Sequence, residues 1–186
     1  MSAVVSKVTK RRSSILDLWR GSPIMGPFAA LVLASIFFAT QSDKFLTGAN
    51  LSLIIQQVMV VGTLAIGQTL VILTGGIDLS NGMIMALASV LMTGFAVQSG
   101  LNPMLAILVG LLAGVLFGLL NGALITAIGL PPFIVTLGTF NIAYALVRIY
   151  TTATITNLPD SQLFLGNTFN IGGTEITYGS VLMVIL

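Results

Sequence analysis

Apolar residues run along this chain in blocks about as long as membrane helices, separated by short clusters of Gly, Pro, Asn and Ser. A span needs roughly 20 apolar residues, fewer where it is tilted or broken. Residues 23–41 predict the first span. Residues 42–57 are more polar, with Asp43, Lys44, Asn50, Gln56 and Gln57, and read as a connection holding a short interfacial helix. Residues 58–74 predict the second span, closed by Gly75 and Gly76, which make a natural helix C-cap. Asp78 or Ser80 can N-cap the third span, about 81–98, by accepting hydrogen bonds from its free first-turn amides. The run Ser99-Gly-Leu-Asn-Pro103 reads as a turn, and the fourth span covers about 104–128. It stops at Gly129-Leu-Pro-Pro132. Pro131 and Pro132 also open the fifth span, about 132–150, because proline suits the first turn of a helix. The predicted fold class is all-α, a polytopic transmembrane helix bundle of about five complete spans and the start of a sixth.

Beyond Arg148 the character changes. Residues 151–178 are rich in Thr, Asn, Gly and Ser and include Pro159, Asp160 and Glu175, so they predict an extramembrane loop. A new apolar segment begins at Val181 and reaches only Leu186. So short a run cannot cross a bilayer core of about 30 Å at about 1.5 Å per residue. The chain is therefore expected to stop inside its sixth span, as a truncated product or the front portion of a longer protein.

Composition agrees with this pattern: 56% of residues are hydrophobic and 6% charged, where a soluble domain carries roughly a quarter charged residues. The net charge of +2 is less informative than its distribution. Lys7, Lys10, Arg11, Arg12 and Arg20 crowd residues 1–22, the mark of a cytoplasmic N-terminal segment. The cluster is too short, and leads too directly into an apolar run, to favour nucleic acid as a partner. A signal peptide is the weaker reading of residues 1–40, because the apolar run is long and several equally apolar segments follow it. Counting five spans from a cytoplasmic start puts loop 151–178 outside, which suits its acidic residues; Arg148 at its border is the one dissent.

Catalytic chemistry has little to work with. With no Cys and no His, the chain lacks thiol nucleophiles, imidazole bases and the usual zinc ligands. The five carboxylates are scattered, and no Gly-rich stretch ends in Gly-Lys-Ser/Thr to cradle a nucleotide phosphate. No enzyme activity, catalytic residue, metal or cofactor is expected. What stands out is Asp78, the sole charged residue between Lys44 and Arg148. An ionisable group at membrane depth marks a helix break or lines a polar path. Capping is the favoured reading and contact with solute or a gate the sharper one; broken helices serve both in transporters.

Two further patterns accompany it. Gly110, Gly114, Gly118 and Gly122 recur every fourth residue along the fourth span and form a smooth face for close helix packing. Gln68, Thr69, Thr74, Asn121, Thr136, Thr139 and Asn141 place neutral polar groups at membrane depth, fit for interhelical ties or for the hydroxyls of an uncharged solute. Gln68, Asp78 and Asn121 are the candidate pathway or gate residues.

Three stretches together resemble the membrane permeases of sugar ABC importers of the ribose/xylose/galactose type. They are Gln68-Thr-Leu-Val-Ile-Leu-Thr-Gly-Gly-Ile-Asp-Leu-Ser80, Asn121-Gly122, and Leu130-Pro-Pro-Phe-Ile-Val-Thr-Leu-Gly-Thr139. The likeness is collinear from about residue 24 onward. Asn81 departs from it, since the family more often has a small apolar residue there. Length departs further, because members continue through a cytoplasmic loop that meets the ATPase and a second set of spans. The resemblance implies that residues 23–186 are an incomplete permease transmembrane domain in the lipid bilayer of a bacterial inner membrane. It implies a second permease subunit, as a homodimer, cytoplasmic ATP-binding subunits and a periplasmic sugar-binding protein docking near loop 151–178. The implied activity is translocation of a monosaccharide or related polyol by alternating access. The alternatives are a self-contained secondary transporter or channel, which would need an ion site of its own, and a truncated fragment that inserts but transports nothing.

Overall fold

The computed structural model describes residues 23–186, so the predicted basic segment 1–22 lies outside the described residues. The chain divides into two units, residues 1–50 and 51–186. In the first, helix α1 spans Met25–Gln41 and carries large apolar side chains exposed all round, among them Phe28, Leu31, Leu33 and Ile36. Helix α2, Gly48–Leu73, begins in this unit and continues into the second. Its start is held by Asn50, whose Nδ2 donates to the Phe45 carbonyl at 2.7 Å.

The separate interfacial helix predicted within 42–57 does not exist: residues 48–57 are the opening turns of α2. Gln56 and Gln57 are good helix formers, and nothing between Ser52 and Val61 breaks the ladder, so polarity there marks depth and not an end. The other end of α2 is set by local chemistry. Gly76 N–H donates to the Val71 carbonyl at 3.1 Å and Gly75 N–H to that of Ile72 at 2.9 Å, the paired bonds of a Schellman stop. Gly75 sits at φ +77°, where a Cβ is strained. Gly75→Ala should therefore lower the unfolding free energy by about 1 kcal/mol. Gly82→Ala, in the first turn of the next helix with open space at its Cβ, should leave it unchanged or raise it slightly. Thermal melts of the detergent-solubilised chain check both; equal shifts would contradict this account.

Helices α3 (Asn81–Val97), α4 (Pro103–Thr126) and α5 (Pro132–Tyr150) follow, and α3 packs most extensively on α4 and next on α5. Asn102 caps α4 by accepting from the Met104 amide at 3.0 Å, and the carbonyl of Pro131 receives the amides of Ile134 and Val135 at the start of α5. Gly129, at φ +79°, reverses the chain between them. Among the described residues three helices, α2, α4 and α5, are long and apolar enough to cross a membrane. Helices α1 and α3 have 17 residues each, a rise of about 25 Å against a hydrocarbon core of about 30 Å.

The interior reverses the usual arrangement of a soluble protein. Among the described residues buried apolar ones are few, Leu87, Ala106, Val135 and Ala143, while Ser52, Ser80, Asn121, Thr136, Thr139, Thr177 and Ser180 are buried polar ones. Leucines and isoleucines cover the outside. Where lipid is the solvent, large apolar side chains gain nothing by turning inward, and small or hydrogen-bonding groups make the helix contacts.

Loop 151–178 has more structure than its composition predicted. It holds a short helix α6 (Asp160–Leu163), a 3-10 turn at Phe164–Gly166, and an antiparallel hairpin of β1 (Thr168–Ile171) and β2 (Thr174–Thr177). Tyr178 stacks on Phe164 with centroids 5.0 Å apart and meets Phe169 at 5.3 Å. The Glu175 amide donates to Ser52 Oγ at 2.7 Å, and Gln162 Nε2 to the Met92 carbonyl at 2.8 Å, so the loop is tied back onto α2 and α3. Helix α7 (Tyr178–Ile185) starts where Thr177 Oγ1 accepts from the Ser180 amide, three residues before the predicted apolar onset.

Candidate functional site

The break between α2 and α3 builds the site. After the Gly75-Gly76 stop the chain runs non-helically through Ile77, Asp78 and Leu79, and two neighbouring helices hold it. From α5, Thr136 Oγ1 lies 2.9 Å from the Pro132 carbonyl and 3.2 Å from that of Ile77, sharing its one proton between its own helix and the turn. From α4, Asn121 Nδ2 donates to Ser80 Oγ at 2.9 Å. Ser80 Oγ in turn donates to Asp78 Oδ1 at 2.6 Å, and the Ser80 amide donates to the same oxygen at 2.7 Å. The result is an unbroken chain from a carboxylate through a hydroxyl to an amide, joining residues 41 positions apart.

The capping expectation is corrected in detail. Ser80 occupies the N-cap position of α3, yet its hydroxyl bonds no helix amide. Asp78 accepts from the amide of Ser80 itself, an Asx-turn one residue ahead of the helix, and not from the first-turn amides. Two acceptors within one short turn compete, and the buried Asn121 amide draws the Ser80 hydroxyl away from the backbone.

Two cavities meet at Asp78. One, of about 400 Å³, is lined by Thr74, Gly75, Gly76, Asp78, Gly118, Asn121, Gly122 and Thr136 among others. The second, of about 280 Å³, is lined by Leu64, Gln68, Asp78 and Asn81 among others. The three candidate pathway residues thus divide between them, Gln68 facing one, Asn121 the other, and Asp78 both. Asn121 Oδ1 is buried and has no hydrogen-bond partner among the described residues.

The remaining neutral polar residues are mostly satisfied within their own helices. Thr69 donates to Ala65, Thr74 to Val71 and Asn141 to Leu137, each at 2.7 Å, and Thr139 lies within reach of the carbonyls of Val135 and Thr136. Among the described residues, Asn121 and Thr136 are the members of that set that tie separate segments together. Asn81, whose Nδ2 reaches the Leu64 carbonyl at 3.3 Å, does so as well, and sequence reasoning saw it only as a departure from a motif.

The glycine face also divides. A Cβ on Gly110 would come within 2.7 Å of the Ala88 carbonyl oxygen, so α3 and α4 touch backbone to backbone there. At Gly114, Gly118 and Gly122 a Cβ would meet nothing within 4 Å. The close packing expected along the whole stripe is made, among the described residues, at Gly110 alone.

Residues 50–186 match the family described as "Branched-chain amino acid transport system / permease component". The chain belongs to this permease family. It is 42% identical over 172 residues to the fructose import permease protein FrcC of Rhizobium meliloti, covering 89% of this chain and 48% of that protein. It is 46% identical over 127 residues to the ribose import permease protein RbsC of Bacillus subtilis, covering 68% of this chain and 39% of that protein. Its identity to the Escherichia coli ribose permease RbsC is 35% over 129 residues, 69% and 40% of the two chains. The chain thus spans half or less of the length of these relatives. No solved structure matches it. The sugar-permease resemblance carried by the three motifs is in agreement with these relatives, and the chain is a membrane protein.

Proposed function

We propose that this chain acts in an ABC importer as a permease subunit that moves a monosaccharide or related polyol across the bacterial inner membrane. Its similarity over 172 residues to a fructose import permease carries the reading. In this reading partner ATPase subunits drive alternating access, a second permease copy completes the pore, and a periplasmic sugar-binding protein delivers solute at the face bearing loop 151–178. The basic cluster before residue 23 supports a cytoplasmic N-terminus. Five spans then put both the Asp78 turn and the Gly129–Pro132 turn at the cytoplasmic end, with a sixth span starting in α7. Gln68, Asp78 and Asn121 are pathway or gate positions, and their shared pair of cavities at a helix break supports that role.

Uptake of radiolabelled ribose and fructose, measured with the partner subunits present, tests the reading. Asp78→Ala should lower uptake about tenfold or more, the scale of one lost charge-assisted hydrogen bond. Unchanged uptake at normal protein level would remove Asp78 from the pathway. Absence of any sugar uptake by the unaltered assembly would sink the transport reading itself.

A further inference from the structure

The two cavities at the helix break differ in what they leave open. In the larger one the wall hydroxyls already donate, Thr74 to the Val71 carbonyl at 2.7 Å, Thr126 to that of Gly122 at 2.8 Å and Thr136 to that of Pro132 at 2.9 Å. Asn121 Oδ1 is sealed off there by its burial. The smaller cavity is lined by Gln68, Asp78 and Asn81, all three part-exposed. The Gln68 side chain makes no hydrogen bond among the described residues. Both bonds to Asp78 fall on Oδ1, so its Oδ2 is open. Asn81 spends one N–H on the Leu64 carbonyl at 3.3 Å and keeps its oxygen and its other N–H. Leu64 lies one turn before Gln68 on the same face of α2, so that bond sets Asn81 beside Gln68. Among the described residues the sealed, unpartnered side-chain atoms belong to Asn121 and Gln162, so none of these open groups is shut away.

Acceptor oxygens and N–H donors thus stand side by side in one cavity. A hydroxyl both donates and accepts, so a solute carrying several of them uses both kinds. An ammonium or guanidinium group accepts nothing and would strand the N–H groups of Gln68 and Asn81. A carboxylate or phosphate would meet the Asp78 charge with no lysine or arginine in the wall to offset it. A hard metal ion asks for about six converging oxygens and would face the amide N–H groups. Val61, Leu64 and Ala65 complete the wall with apolar surface that suits the C–H face of a sugar ring. The volume of about 280 Å³ stands at the small end of ligand pockets, near about 300 Å³, the scale of a single ring.

We propose that Gln68, Asp78 and Asn81 form a contact site for the hydroxyls of one monosaccharide ring. Asp78 accepts from a hydroxyl through Oδ2, while Gln68 and Asn81 each donate to one and accept from another. Asn121 lies outside this contact: its amide reaches Ser80 and, through it, only the Oδ1 side of Asp78. The inference rests on the permease reading and says where within it the solute is held. Solute contact and uptake are measured separately below, so that either can fail without the other.

The chain has no cysteine, so a single introduced one can report on the cavity. Ala65→Cys places it in the wall without replacing any of the three contact groups. In the assembled transporter its modification by methyl methanethiosulfonate, a small neutral thiol reagent, is followed by mass spectrometry. D-ribose or D-fructose should slow the modification saturably, and 1,4-dioxane, a ring without hydroxyls, should not. Thr69→Cys, on the same helix but outside the cavity wall, should react at one rate with and without sugar. Gln68→Met, added to Ala65→Cys, should raise the half-protecting sugar concentration about fivefold or more. Gln68 bonds nothing among the described residues, so a lost structural tie does not account for that change. Asn81→Val should act in the same direction and supplies the test if Gln68→Met fails to assemble. Uptake of both sugars by the Ala65→Cys transporter is measured alongside. Uptake without protection, equal protection by dioxane, or protection unchanged by both variants would overturn this inference and leave the permease reading standing. An Ala65→Cys thiol that never reacts would overturn it as well, because the cavity is then covered in the assembly. Protection without uptake would support the contact site and count against the transport reading. Absence of both would sink the two together.

Discussion

Gly110→Leu is expected to destabilise the chain by about 3 kcal/mol, while Gly118→Leu, two turns along the same stripe, should change stability by less than about 1 kcal/mol. The two positions have the same residue type in the same helix, so the intrinsic gain of about 1 kcal/mol from replacing glycine by a better helix former is common to both. They differ in what a side chain would strike. At Gly110 it meets the Ala88 carbonyl oxygen, part of a helix backbone that cannot step aside without opening the α3–α4 contact. At Gly118 it meets open space. Chemical or thermal unfolding of the two variants in the same detergent measures the contrast, and equal losses would show that the stripe packs as a unit. The assembled transporter offers a second comparison: if Gly118→Leu is silent in this chain alone but prevents assembly, another helix covers that stretch.

Those features that depend on a few adjacent residues were legible in the sequence. Gly75 and Gly76 stop α2 because a left-handed residue and two amide bonds are all the stop requires, and Pro131 with Pro132 opens α5 for equally local reasons. Long-range features were not. The four-residue spacing of Gly110 to Gly122 identifies a helix face, but which part of it meets a neighbour depends on where α3 crosses. Ser80 could be named only as a cap, since nothing in its neighbourhood announces that Asn121 will arrive from 41 residues away. The polarity of Asn50, Gln56 and Gln57 was read as a break in the helix, whereas α2 passes through it, because backbone hydrogen bonding does not register side-chain hydropathy. In loop 151–178 the Thr, Asn and Gly content concealed a hairpin whose stability comes from Tyr178, Phe164, Phe169 and Ser52, contacts that no local pattern specifies.

Ser80→Ala should be more damaging than Asn121→Leu, although Asn121 is the larger residue and lies within the longer helix. Ser80 is fully buried and its hydroxyl serves two partners, donating to Asp78 and accepting from Asn121. Removing it takes a charge-assisted bond from the carboxylate and leaves the Asn121 amide, whose oxygen is already orphaned, without any partner; the sum is about 3 kcal/mol. Asn121→Leu removes one neutral hydrogen bond and at the same time abolishes the orphan, and the volumes are close, so its cost should be about 1 kcal/mol. In the double variant there is no buried amide left to strand. Its loss should therefore fall short of the sum of the two single losses by about 1 kcal/mol, a coupling that unfolding of the four proteins measures. Additive losses, or an Asn121→Leu variant weaker than Ser80→Ala, would mean that Ser80 is not the pin. Both replacements keep the Asp78 charge. An Asn121→Leu protein that folds normally and still loses sugar uptake would therefore give the Asn121 amide a part in transport beyond holding the turn.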